Sequence, residues 1–130
     1  MAIRKRSIHM KKRVLFVDDE EINLFVLSRR FEEDFEVLTA NSAEEAMQLI
    51  QDNQGKLHAL ISDLKMPDIT GLQMIEKARD ILKDVPCFLL TGYDYNEEIE
   101  KALNDKVITK LFKKPFNYNE INDTLKEYLY

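Results

Sequence analysis

The chain has 130 residues, 45% of them hydrophobic and 33% charged, with a formal net charge of −5. That length suits one domain with a single core, and no apolar stretch approaches the roughly 20 residues that a membrane-spanning helix needs. A single cysteine, Cys87, excludes an internal disulfide framework and fits a reducing cytoplasm.

The charge is unevenly placed. Residues 1–13 contain Arg4, Lys5, Arg6, Lys11, Lys12 and Arg13 and no acid, so the remaining chain sets 13 bases against 24 acids. A body carrying that excess of acid makes a poor direct nucleic-acid binder, because phosphate affinity comes from clustered Lys and Arg. Residues 1–12 read as a disordered basic leader in which Ser7-Ile8-His9-Met10 resembles a cloning junction. With no apolar core behind the bases it is not a signal peptide. The domain is expected over residues 13–130.

Val14-Leu15-Phe16-Val17 is a β-favouring run that stops abruptly at Asp18-Asp19-Glu20-Glu21. Leu24, Leu27 and Phe31 then recur at helical spacing. A second strand is expected over Phe35–Ala40, and Ser42 with Glu45 fits a capping box for the next helix. Ala43, Ala46, Met47 and Ile50 form its apolar stripe, which ends near Asn53-Gln54-Gly55. A third strand runs from Leu57 to Ser62 and ends at Asp63.

Pro67 and Gly71 mark the following loop, and Leu72, Ile75, Ala78 and Leu82 mark a third helix. Pro86 ends it. Cys87-Phe88-Leu89-Leu90 is a continuous apolar run of the kind buried on both faces, and it stops at Thr91-Gly92. Ile99, Ala102 and Leu103 mark a short helix, Val107–Phe112 the last strand, and Ile121, Leu125, Tyr128 and Leu129 the last helix. Five βα units in succession predict an α/β fold, a five-stranded parallel sheet with helices on both faces.

In such a sheet the carboxyl ends of the strands converge on one edge, where ligands bind. Asp18, Asp19, Asp63, Thr91 and Lys114 all fall there. Adjacent carboxylates repel one another unless protonated or bridged by a cation, and an all-oxygen donor set suits Mg²⁺. A hydroxyl and an ammonium beside them complete a site for a divalent metal and a phosphoryl group. Lys113 competes with Lys114 for the cationic role, and the following Pro115, which can sustain a cis peptide bond, favours Lys114.

Four blocks then carry a resemblance: Val17-Asp18-Asp19-Glu20, Asp63-Leu64-Lys65-Met66-Pro67-Asp68-Ile69-Thr70-Gly71, Leu89-Leu90-Thr91-Gly92 and Lys114-Pro115-Phe116. Over residues 13–130 the chain resembles the CheY-like receiver domain of two-component response regulators. That resemblance implies a flavodoxin-like (βα)5 fold with strand order 2-1-3-4-5. It implies a phosphorylation-dependent switch in a phosphorelay, with Asp63 as phosphoacceptor and Mg²⁺ held by Asp18, Asp19, Asp63 and the backbone carbonyl of Lys65. Thr91 and Lys114 would contact the phosphoryl oxygens. The donor would be a phosphohistidine on a histidine kinase or histidine phosphotransfer protein. The output would pass through the face made by the fourth helix, fifth strand and fifth helix to an output domain or downstream protein. The implied chemistry is self-phosphorylation and autodephosphorylation, not turnover of a substrate.

The sequence departs from the pattern at one informative place. Many receivers carry an aromatic residue three positions before the active lysine; here that residue is Leu111, and alternation points Phe112 to the opposite side. A muted or differently built signal is therefore expected on this face. Tyr93, two positions beyond Thr91, is a candidate shield against water. Residues 117–130 contain no arginine and only Lys126 as a base, which argues against dimers of the winged-helix regulator type. The alternatives are a receiver-like scaffold that takes no phosphate and an aspartyl-nucleophile phosphatase. The latter usually needs a second acid two residues after the nucleophile, where this chain has Lys65.

Overall fold

The structure is a computed structural model that describes residues 11–92 and 96–130. Five strands, β1 (Lys12–Val17), β2 (Phe35–Ala40), β3 (Ala59–Asp63), β4 (Cys87–Thr91) and β5 (Lys110–Lys113), alternate with five helices. The helices are α1 (Glu21–Phe31), α2 (Ala43–Asp52), α3 (Gly71–Leu82), α4 (Glu97–Asn104) and α5 (Tyr118–Leu129). The sheet is wholly parallel, as the βα succession predicts, and its order β2-β1-β3-β4-β5 is the one that the resemblance implies.

Alternation along each strand sorts the core into two clusters. Leu15, Val17, Leu60, Cys87 and Leu89 face α2, α3 and α4, where they meet Ile50, Leu72, Ile75, Ala78 and Ile99. Val14, Phe16, Ile61, Phe88, Leu90 and Phe112 face the other way, against Leu24, Leu27 and Phe31 of α1 and Ile121 and Leu125 of α5. Every residue of β3 and β4 is buried, which is why neither run shows polar alternation. Aromatic contacts anchor the second cluster: Phe16 and Phe31 lie 5.2 Å apart between ring centres, and Phe88 and Phe112 lie 5.5 Å apart.

Several expected boundaries move. Lys12, assigned to the leader from sequence, is the first residue of β1 and pairs with Phe35. Residues 1–10 of that leader lie outside the described residues. Strand β3 begins at Ala59, two residues later than predicted, because Leu57 donates its N–H to Asn53 and so closes α2. Strand β5 begins at Lys110, because Val107 and Ile108 both donate to the carbonyl of Ala102 and finish α4 instead of pairing. At α2, Ser42 accepts from the N–H of Glu45 as expected, but the Glu45 carboxylate reaches the N–H of Asn41 and not that of Ser42. The full capping box lies at α3, between Thr70 and Gln73.

Candidate functional site at the carboxyl edge of the sheet

The chain leaves β1 in one direction to form β2 and returns to form β3 on the other side of β1. This reversal opens a crevice at the carboxyl ends of β1 and β3, the usual ligand position in an open α/β sheet. Asp18 and Asp19 follow β1 and Asp63 ends β3, so the crevice is rimmed with carboxylates. One oxygen from each of the three lies within 4.8 Å of the others.

Each acid is held differently. Asp18 is buried, and its own N–H donates to Ala40, which continues the β1–β2 ladder past the strand end. One Asp18 oxygen accepts from the N–H of Glu20 at 2.9 Å and the other from Asn23 Nδ2 at 3.2 Å. Asp19 is exposed. Asp63 is buried; its Oδ1 lies 2.9 Å from Lys114 Nζ, and its backbone carbonyl accepts from the Ser62 hydroxyl at 2.8 Å.

Lys114 reaches the crevice from the far side. Its N–H donates to the Thr91 carbonyl at 2.8 Å, which ties the end of β5 to the end of β4, and its peptide bond to Pro115 is cis. Thr91 is buried at the end of β4. Lys113, the competing cation, is exposed and pairs with Thr91 in the sheet register, one position short of the Asp63 contact. Lys65 lies exposed two residues beyond Asp63. Tyr93 lies outside the described residues.

The electrostatics favour a divalent cation. Burial raises the Asp63 carboxyl above its ordinary range; the hydrogen bond and charge of Lys114 oppose this, while Asp18 and Asp19 add to it. Burial alone would lower Lys114, but its bond to Asp63 and the charges of Asp63, Asp18 and Glu20 together raise it. Among the described residues, the carboxylates of Asp18, Asp19 and Asp63 outnumber the Lys114 ammonium that reaches them, which leaves the crevice negative. Hard oxygen donors with that charge fit Mg²⁺.

Two positioning residues escaped the sequence reading. Asn23 lies in the first turn of α1, and its amide reaches back to Asp18. Gly71 opens α3 so close to β3 that a Cβ there would collide with the Asp63 carbonyl and lie 2.7 Å from the Ser62 hydroxyl. The Gly71 N–H also donates to Leu64 at 2.8 Å. The loop from Asp63 to Gly71 is thus pinned at both ends, and the glycine read as loop punctuation is a point of contact.

The family model of the response regulator receiver domain matches residues 14–126. This chain belongs to that family. A receiver domain is a phosphorylation-dependent signalling switch. Receivers bind Mg²⁺ at an acidic pocket and interact with histidine kinases or phosphotransfer proteins. This receiver is 32% identical over 115 residues to the hydrogenase transcriptional regulatory protein HoxA of Bradyrhizobium diazoefficiens, covering 88% of this chain and 23% of that protein. It also spans 23% of HoxA from Cupriavidus necator. Sporulation initiation phosphotransferase F of Bacillus subtilis is 25% identical over 121 residues, covering 92% of this chain and 95% of that one. Chemotaxis protein CheY4 of Vibrio cholerae superposes with a TM-score of 0.81 at 28% identity, covering 92% of this receiver and 99% of that chain. Among the described residues no helix is long and apolar enough to cross a membrane.

Proposed function

We propose that Asp63 is the phosphoacceptor of this receiver, taking a phosphoryl group from a phosphohistidine on a histidine kinase or histidine phosphotransfer protein in the cytoplasm. A carboxylate oxygen of Asp63 forms the new bond to phosphorus, the phosphorus–nitrogen bond breaks, and the imidazole leaves with the electron pair and takes up a proton. The observation that carries this reading is Lys114 Nζ at 2.9 Å from a buried Asp63 that sits within 4.8 Å of two further carboxylates.

Lys114 holds Asp63 in place before the reaction and neutralises a phosphoryl oxygen as a point charge after it. Thr91 supplies a hydroxyl to another phosphoryl oxygen. Asp18, Asp19, Asp63 and the backbone carbonyl of Lys65 would hold Mg²⁺, which would supply positive charge beside the transferred group. Water later attacks the phosphorus, the bond to the Asp63 oxygen breaks, and inorganic phosphate leaves, which restores the carboxylate; Tyr93 is the candidate shield against that attack. The Lys114–Thr91 backbone bond couples the phosphorylated pocket to β5 and so to the face of α4, β5 and α5, through which an output domain or downstream protein reads the state. Phe112 does not report it: the ring is buried against Phe88 on the α1–α5 side of the sheet, while Leu111 packs on the other side.

Incubation with Mg²⁺ and a small-molecule phosphodonor, followed by intact-mass measurement, tests the reading. A phosphoryl adduct is expected in the native chain and absent in Asp63→Asn. A native chain that takes no adduct would behave as a scaffold, and continuous release of phosphate would mark a phosphatase; either result overturns the assignment.

A further inference from the structure

A groove runs along the opposite, amino-terminal edge of the sheet. It is built of three contiguous cavities of about 480, 460 and 380 Å³. The first two share Lys12, Gly55 and His58, and the second and third share the turn from Lys83 to Pro86 together with Tyr128. Its charge is the reverse of the rest of the molecule. Lys11, Lys12, Arg13 and Lys56 line one end and Arg79, Lys83 and Lys106 the other, against Glu36 and Asp84 as the acids. Seven of the chain's 19 Lys and Arg residues fall here, with two of its 24 acids.

Part of that charge is structural. Arg13 pairs with Glu36 at 2.8 Å. Arg79 donates to the carbonyls of Lys83, Val85 and Val107 and so fixes the turn that forms the wall. The ammonium groups of Lys56, Lys83 and Lys106 have no ion-pair partner among the described residues. Lys83 and Lys106 have φ of 56° and 62°, and they are the non-glycine residues with positive φ among those described. Glycine adopts this conformation without the Cβ strain. At both turns the chain instead has a lysine, and both lysines line the same groove. Lys83 caps the end of α3, and Lys106 follows the cap of α4.

We propose that this groove binds an extended acidic segment of a partner protein in which apolar residues are interleaved with the acids. The free lysines recognise its carboxylates. Val85, Leu129 and the half-exposed Tyr128 ring take its apolar side chains. A peptide fits better than a nucleic acid because the positive surface is confined to the groove. Phosphates extending beyond it would meet a body that holds the other 22 acids. This site is separate from the carboxyl-edge crevice and needs no phosphorylation.

The test uses the whole chain, labelled with ¹⁵N, and a short peptide of acidic residues interleaved with leucines. Titration is expected to shift the amide signals of Gly55, His58, Val85 and Lys106, leave those of Asp18 and Asp63 in place, and give the same affinity in Asp63→Asn. Lys56→Glu, Lys83→Glu and Lys106→Glu combined should weaken binding at least about tenfold. Lys56→Glu alone, away from the strained turns, should still weaken it if the triple variant melts early. No localised shift with the peptide, or affinity unchanged in Lys56→Glu, overturns the proposal. So does an oligothymidylate that binds as tightly as the peptide.

Discussion

At the scale of single residues, the crevice depends on groups that never meet the phosphoryl oxygens. Asn23 donates to one oxygen of Asp18 while Glu20 donates to the other, so the carboxylate is fixed in orientation before any cation arrives. Partners of this kind tune metal affinity about tenfold or more. Asn23→Leu is therefore expected to weaken Mg²⁺ binding by about tenfold in calorimetric titration, with little change in melting temperature without metal. His58 makes a separate, pH-dependent contribution. Its Nδ1 accepts the Arg13 N–H at 2.9 Å, and burial, then Lys12 and Arg13, lower its pKa despite Glu36. The unfolded chain therefore takes up this proton more readily than the folded one. Stability tied to His58 is fully present above the unfolded value near pH ~6.5 and is lost as pH falls toward the lowered folded value. Urea unfolding midpoints should show this loss in the native chain and a smaller one in His58→Gln; equal slopes would rule His58 out. Cys87 plays no such part: burial raises its thiol to about 11, which keeps it protonated and inert.

At the scale of elements, what the sequence made legible was whatever depends on order and alternation. Five βα units fix which strand ends share an edge, so Asp18, Asp63, Thr91 and Lys114 could be assigned to one place from spacing alone. Alternation likewise separated Leu111 from Phe112. What depends on how closely two elements approach was not legible. Gly71 shows this best: nothing in its neighbours says that the first turn of α3 rests on the carbonyl of Asp63. Gly71→Ala must move either the helix or the end of β3, and overpacking of this kind costs about 1–3 kcal/mol. Denaturant melts should show that loss, and adduct formation at Asp63 should slow with it, because the displaced atom belongs to the phosphoacceptor's own backbone. The start of β5 was misplaced for a related reason. Val107 and Ile108 have the side chains of a strand, yet their N–H groups are spent on Ala102 at the end of α4. Side-chain propensity cannot reveal where a backbone donor goes.

At the scale of the whole molecule, the parallel sheet separates charge. All five strands point the same way, so every strand end that carries an acid lies at one edge and the free lysines of the turns lie at the other. Glu20, Glu21, Glu97 and Glu98, which begin α1 and α4 or immediately precede them, add to the acidic end. The domain is consequently an electric dipole lying along its own strands. A field of this kind acts on approach before any contact forms, and salt screens it within about 10 Å at ~0.1 M. Partners arriving at the two ends should respond to salt in opposite senses. Adduct formation from a small anionic phosphodonor, which must enter the negative end, should speed up as sodium chloride is raised at saturating Mg²⁺. Association of an acidic peptide with the positive end should slow over the same range. Stopped-flow and mass measurements on one preparation can compare the two, and rates that move together would show that the dipole does not steer. A fold known for passing a signal across its surface would then also orient its visitors, with one sheet direction determining which end each of them meets first.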